Sequence, residues 1–296
     1  MSSSKILKKI KYAMRIIPDR AYIQMYYFAH FKKFCNLKNP KTYNEKLNWL
    51  KLHDKNPIYT RIVDKFEAKE YVKDIIGDQY IIPTLGVWDN FDDIDFDELP
   101  QQFVLKCTHD SEGLVIVKDK DKLDKEMAKN KIESALKQNF FYIGREWPYK
   151  NVKPRIIAEK YMEDHIDGEL RDYKFFCFDG EPKAMFVASD RASDNVKFDY
   201  FDLNFNHLDI KQKYPHAEQP LRKPVTFEKM IELSKVLSKG FPHVRVDFYE
   251  VDGQLYFGEL TFYHFSGFMP FEPNKWDKIF GDWIKLPQRG IAYGFE

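Results

Sequence analysis

Cysteine is scarce in this chain, and its three instances lie far apart. Cys35, Cys107 and Cys177 form no CxxC pair and have no His–Cys ligand spacing, so neither a disulfide framework nor a thiolate zinc site is expected. No apolar run approaches the roughly 20 residues of a membrane-spanning helix. The N-terminus lacks the apolar core and small-residue cleavage site of a secretory signal. These absences point to the reducing cytoplasm. There is no internal repeat, no low-complexity segment, and no helix-turn-helix, zinc finger or RNA-binding aromatic motif, so a nucleic-acid partner is not expected.

What the sequence does contain is core material. It has 296 residues, 44% of them hydrophobic, with 26 Phe and 18 Tyr. That length exceeds the usual single-core domain and implies one large lobe or two to three smaller ones. The formal net charge of +1 conceals an asymmetry: residues 1–51 carry twelve Lys or Arg against Asp19 and Glu45, a net of +10, which leaves the remainder at −9. Within this basic head, Ile6, Ile10, Ala13 and Ile17 recur at helical spacing among Lys5, Lys8, Lys9, Lys11 and Arg15, and Pro18 ends the run. Residues 5–17 therefore read as a basic amphipathic helix. It suits peripheral docking on an anionic membrane surface at the inner face of the membrane, docking on a partner, or packing on its own domain with the lysines in water.

Residues 20–34 continue as an aromatic helix, and Thr42 with Glu45 forms a capping box that opens a helix over Tyr43–His53. A longer helix is expected over 59–76, carrying Asp64 and Lys65 and capped by Gly77. Phe103–Cys107 is a buried strand containing Lys106, whose ammonium group is costly there unless it meets an anion. A loop of hydroxyl and acidic groups, 108–113, joins it to a second strand over 114–117. A polar helix over 122–138 and an aromatic, basic loop over 142–154 lead to a strand that ends at Glu159-Lys160-Tyr161-Met162. Asp172–Phe178 and 184–188 flank an Asp-Gly turn as a hairpin. The segment from Asp190 to Pro224 reads as irregular, and a helix over 227–239 delivers the chain to its most informative stretch. This order of helices, mixed region and β-rich region reads as α+β.

In that stretch, Val244, Val246 and Phe248 alternate with Arg245, Asp247 and Tyr249. Asp252-Gly253 supplies a turn, and Leu255, Phe257, Glu259 and Thr261 alternate in the return strand. Arg245 and Asp247 share one face of the first strand, Glu259 and Thr261 one face of the second. Asp247 opposite Glu259 makes a carboxylate pair that repels itself unless a divalent cation or a shared proton intervenes. A polar surface hairpin with one arginine salt bridge is the plainer alternative.

Two lysines, Lys65 and Lys106, and two carboxylates, Asp247 and Glu259, on extended scaffolds suit a nucleoside triphosphate with magnesium: ammonium groups neutralise phosphate and carboxylates hold the metal. In this order the pieces resemble the ATP-grasp superfamily. Its TupA-like branch is the more specific likeness, carried by residues 44–52 (Asn-Glu-Lys-Leu-Asn-Trp-Leu-Lys-Leu), 104–111 (Val-Leu-Lys-Cys-Thr-His-Asp-Ser), 144–155 (Gly-Arg-Glu-Trp-Pro-Tyr-Lys-Asn-Val-Lys-Pro-Arg) and 258–263 (Gly-Glu-Leu-Thr-Phe-Tyr). The likeness spans roughly residues 38–287 and leaves out the first 35.

The resemblance implies an ATP-grasp fold: two α+β subdomains clamping a nucleotide after a helical N-terminal region. The divisions would fall at 1–37, 38–100, 101–162 and 163–296, the third holding the small lobe and mobile loop, the fourth the metal site. It further implies ATP and two Mg²⁺ as cofactors. Lys65 and Lys106 would contact phosphates with Ser111 in the loop, Glu159 the adenine amine, and Lys160, Tyr161 and Met162 the ring edge. Asp247, Glu259 and Thr261 would hold metal, and Arg245 would stabilise the developing oxyanion. Lys174 and Arg191 would contact phosphate or the acceptor carboxylate, or serve as structural ion pairs. His109 is open between a loop base and polar filler, and Ser266-Gly267 would orient a substrate acid. Two departures stand out: Thr261 occupies a position usually held by asparagine, and the loop 108–113 retains only Gly113 where the family is glycine-rich. The implied activity is an ADP-forming carboxylate–amine ligase working through an acyl phosphate. Its acid would be a uronic acid of a surface or capsular glycan or its precursor, its nucleophile an amino acid or amine. The alternatives are a glycosyltransferase of polysaccharide biosynthesis or an ATP-dependent glycan phosphotransferase.

Overall fold

A computed structural model of the chain describes residues 12–111, 113–191 and 195–287. Among the described residues, a 3₁₀ turn at Met14–Ile16 is followed by four α-helices: α1 (Asp19–Phe31), α2 (Tyr43–His53), α3 (Ile58–Val63) and α4 (Glu67–Ile76). They are followed by β1 (Thr84–Trp88), β2 (Phe103–Cys107), β3 (Leu114–Val117), α5 (Lys125–Leu136), the single turn α6 (Phe141–Gly144) and β4 (Ile156–Lys160). Then come β5 (Asp172–Phe178), β6 (Glu181–Ser189), β7 (Lys197–Phe201), β8 (His207–Leu208), α7 (Phe227–Ser238), β9 (Val244–Val251), β10 (Gln254–Thr261) and α8 (Lys275–Trp283). The strands form two antiparallel sheets, one ordered β1-β4-β2-β3 and the other β10-β9-β5-β6-β7-β8.

Each sheet has its own apolar cluster. The small sheet packs Phe103, Leu105 and Ile156 against Ile132 of α5 and against Phe91 and Phe96. In the large sheet, Phe175, Phe176, Cys177 and Phe178 are consecutive and all buried, because both faces of β5 are covered. Phe175 meets Phe227 of α7 on one face, at 5.8 Å between ring centroids. Phe176 meets Phe280 of α8 at 5.1 Å and Tyr43 of α2 at 6.3 Å on the other. The capping box is formed, with Thr42 Oγ1 accepting from the Glu45 amide and Glu45 Oε2 from the Thr42 amide.

Several expectations change. The helix over 59–76 is broken: α3 ends at Val63, Asp64 leaves the helical region (ψ 120°), and its carboxylate accepts from the amides of Phe66 and Glu67 to start α4. A short polar side chain that competes for backbone amides is the reason. The segment after Asp190 contains β7 and β8, which continue the large sheet, and the loop over 142–154 begins inside α6 and contains a 3₁₀ turn at Trp147–Asn151. Of the basic helix over 5–17, residues 5–11 lie outside the described residues, and the remainder ends in a 3₁₀ turn at Met14–Ile16. All three cysteines are buried and unbridged.

Candidate active site

The β9–β10 hairpin turns at Asp252 (φ 50°) and Gly253 (φ 79°), the pair of left-handed residues that a two-residue turn needs. Continued in strict register, it would set Asp247 against Gly258 and Glu259 against Val246 on the core face. A bulge between Phe257 and Glu259 prevents this, so Glu259 faces Asp247 and Thr261 faces Arg245. The alternation expected for Leu255, Phe257, Glu259 and Thr261 is thereby corrected: Leu255 and Phe257 are buried on the core face, and Glu259 and Thr261 project from the other. Gly258 permits the bulge because a Cβ there would lie 3.1 Å from both the Asp247 carbonyl oxygen and the Tyr249 ring.

Arg245 is the centre of what results. Its Nε and Nη2 donate to Asp247 Oδ1 and Oδ2, each at 2.7 Å, and Nη2 also donates to Thr261 Oγ1 at 3.0 Å. Glu259 Oε1 lies 3.7 Å from Nη2 and accepts from the Thr261 hydroxyl at 2.5 Å. Lys174, across the register on β5, donates to Asp247 at 2.5 Å and to Asp172 at 3.1 Å, and Arg191 closes on the other oxygen of Asp172. Burial opposes the Asp247 charge, yet Arg245 and Lys174 overcome it and hold the carboxyl below its ordinary range. Burial lowers the Lys174 ammonium, and Asp247 opposes that shift. Behind Arg245, Nη1 donates to His264 Nδ1 at 2.8 Å, so the His264 proton sits on Nε2 and points to Gln212 Oε1 at 3.1 Å. Burial first, and the Arg245 charge second, keep this imidazole neutral.

A second cluster stands at the end of the small sheet. Lys106 on β2 and Lys69 on α4 each pair with one oxygen of Glu159 on β4. Burial would raise the Glu159 carboxyl, but the two ammonium groups outweigh it and hold it at about 2. Lys69 also donates to the Ile82 carbonyl at 2.8 Å. Lys65, at the α3–α4 corner, gives its amide to the Thr108 carbonyl at 3.0 Å and its ammonium to the Asp110 carbonyl, which ties the corner to the loop after β2. Tyr249 connects the clusters electrostatically. Burial pushes its hydroxyl up to about 12; Arg191 opposes the shift, and Glu259, Asp247 and Glu159 add to it.

The structure thus gathers Arg245, Asp247, Glu259, Thr261, Lys174 and Arg191 in one cluster and Lys106 with Glu159 in another. Ser111 is exposed in its loop; Lys160 is exposed with its amide bonded to the Pro83 carbonyl at 3.0 Å; Tyr161 and Met162 lie just past β4 and join neither cluster. His109 is buried with Nε2 between the Ala135 and Gln138 carbonyls, at 3.2 and 3.0 Å, and pins the loop to the end of α5. Ser266 donates to the buried Glu146, whose carboxyl is raised by burial, with Lys51 opposing. Phe265 and Ser266 both have positive φ (47° and 53°), a strained turn of the kind found at binding sites. Lys69 and Asp172 escape a reading of the sequence. Lys69 has one signal, its four-residue spacing from Lys65; Asp172 has none, because only the sheet register brings it to Lys174 and Arg191.

None of the curated proteins matches this sequence. Among solved structures, the D-alanine–D-alanine ligase from Bacillus anthracis complexed with ATP is 18% identical, with a TM-score of 0.41 over 68% of this chain and 53% of that one. The Helicobacter pylori D-alanine–D-alanine ligase is 16% identical, with a TM-score of 0.42 over 82% of this chain and 67% of that one. The ATP-grasp ligase PsnB complexed with minimal precursor, Mg and ADP is 10% identical, with a TM-score of 0.39 over 74% and 57%. The chain spans little more than half the length of the first of these. A family model described as TupA-like ATPgrasp matches residues 45–285, which include every residue of both clusters, and the chain belongs to that family.

Proposed function

We propose that this chain is an ATP- and Mg²⁺-dependent, ADP-forming carboxylate–amine ligase. The reading rests on one observation: Glu259 is set across from Asp247 by the bulge, with Arg245 bonded to one and 3.7 Å from the other. The donor set fits the cofactors. Arg245, Lys174 and Arg191 balance Asp172, Asp247 and Glu259, so the resting cluster is neutral. A tetra-anionic nucleotide with two divalent cations is neutral as well, and can enter without leaving a buried net charge. Glu259, with its side chain 45% exposed, is the carboxylate open to a cation. Asp247, buried with both oxygens accepting from Arg245 and one also from Lys174, would join it with Thr261 once Lys174 turns to phosphate. When bound, magnesium would neutralise phosphate charge.

The chain's own side chains supply the rest. Lys106 and Lys69 bring two positive charges against the single carboxylate of Glu159, a surplus that suits phosphate or a ring acceptor atom. Lys65 anchors the corner that carries Lys69. Arg245, held by Asp247 and by neutral His264, presents a fixed guanidinium to an oxyanion developing at an acyl carbon. Lys174 and Arg191 flank it where an acceptor carboxylate would lie. No side-chain nucleophile is needed, since an amine attacks the activated acid directly. The proposed acid is a uronic acid of a surface glycan or its precursor, and the amine an amino acid or small amine.

The test mixes the protein with ATP, Mg²⁺ and a panel of uronates and amines, and follows ADP and product mass. ADP released only with both acid and amine supports the ligase; ADP released with a glycan hydroxyl and no amine would make it a phosphotransferase. UDP released from a sugar nucleotide without ATP would make it a glycosyltransferase. Glu259→Gln should lower turnover at least about 100-fold with an unchanged melting temperature; retained activity would remove this carboxylate from the site.

A further inference from the structure

On the opposite side of the large sheet, three side chains converge that the active site does not use. Asp199 on β7 stands in register with Val187, which pairs with Tyr173, which pairs with Phe248. Arg245 and Asp247 project from the other face. His207 opens β8 after a turn that Asp202 organises by accepting from the amides of Asn204 and Asn206, both at 2.8 Å. His216 arrives from the following segment. Backbone contacts hold it on either side: the Phe198 amide donates to the Pro215 carbonyl at 3.0 Å, and the Ala217 amide to Asp199 Oδ2 at 3.0 Å.

The ligand atoms face one another. His207 Nε2 lies 3.2 Å from Asp199 Oδ1 and 3.0 Å from His216 Nδ1, and His216 Nδ1 lies 3.6 Å from Asp199 Oδ1. Three donors bound tetrahedrally at about 2.05 Å would stand about 3.3 Å apart, which these separations bracket. Asp199 Oδ2 is held by the Ala217 amide, which aims Oδ1 inward, and the Phe201 ring stands edge-on to His207 at 5.4 Å. Asp199 is buried while the side chains of His207 and His216 are 46% and 29% exposed, so an ion has a way in. Two imidazoles and a carboxylate suit zinc and its first-row neighbours and disfavour magnesium, which prefers an all-oxygen shell. We propose that Asp199, His207 and His216 form a second metal site, for a divalent transition ion of the zinc class. The ion clips the segment around His216 to the β7–β8 hairpin and leaves a fourth position open to water.

The experiment uses the full chain, stripped with a chelator and titrated with ZnCl₂, with MgCl₂ as the comparison. One zinc per chain is expected, with a rise in melting temperature of about 3 °C or more. Magnesium alone should give neither. Co²⁺ in the same site should show visible bands of tetrahedral intensity. His216→Gln and His207→Ala should each weaken zinc at least about tenfold and lose the thermal shift, while Glu259→Gln keeps both. His207 is half-exposed, so its variant remains informative should His216→Gln fold poorly. Zinc uptake equal in wild type and both histidine variants, or lost only in Glu259→Gln, would overturn the site. Absence of any zinc retained over magnesium would leave a hydrogen-bonded His–His–Asp network and overturn it equally.

Discussion

At the scale of single residues, charge placement decides the chemistry, and Glu159 shows how. Its carboxyl sits at about 2, below the ordinary 4.5, because Lys106 and Lys69 outweigh burial. A depressed folded-state value means that the pairing stabilises the fold fully above pH 4.5, and that this contribution disappears as pH falls toward 2. Glu159→Gln should therefore melt at a lower temperature than wild type at pH 7, and the gap should close between pH 4.5 and 2. Melting curves across that range are the check, and a gap constant with pH would contradict the pairing. Lys106 illustrates what the sequence reveals at this scale: a lysine inside a strand asks for an anion. Which anion is a matter of sheet register, since Lys106 and Glu159 lie on adjacent strands 53 residues apart in sequence.

Elements carry most of what was legible in advance. The capping box, the α2 helix, the Asp252-Gly253 turn and the strand of Lys106 follow from local chemistry, because caps, turns and alternation act over a few residues. The break after Val63 is local in origin, in the Asp64 carboxylate, and Arg155 at 3.2 Å holds that carboxylate in place. β7 (Lys-Phe-Asp-Tyr-Phe) carries an alternation that is hidden by its brevity among polar flanks until it pairs with β6. The bulge is the most consequential of these. Strict alternation puts Glu259 and Thr261 on one face but would turn that face toward the core, and the bulge is what sets them against Asp247 and Arg245. Gly258→Val should cost about 1–3 kcal/mol, because even its Cβ would crowd the Asp247 carbonyl oxygen and the Tyr249 ring at 3.1 Å, and turnover should fall with it as Glu259 is displaced. Denaturant unfolding and steady-state rates measure the two effects; a neutral substitution would mean that the hairpin relaxes without the bulge.

For the whole molecule, a helical head, a mixed region and a β-rich region of α+β class were expected from the order of patterns, and a division into two subdomains only from the family resemblance. The head's attachment was not. Arg145, 2% exposed, donates to the Met14 and Ile17 carbonyls at 2.8 and 3.3 Å and lies 4.4 Å from the centre of the Tyr22 ring. The described end of the basic segment is thus docked on the body. Arg145→Ala should release it and bring trypsin cleavage at Arg15 forward several-fold; an unchanged digestion rate would show that other contacts hold it. The two apolar clusters share no member, and this has a consequence for cooperativity. Separate apolar clusters predict that each sheet melts as its own unit, joined to the other through the α3–α4 corner and the ion pairs around it. A nucleotide held between them would act as a rivet: with it in place the two units would unfold together, and without it the small sheet would open to solvent exchange before the large one.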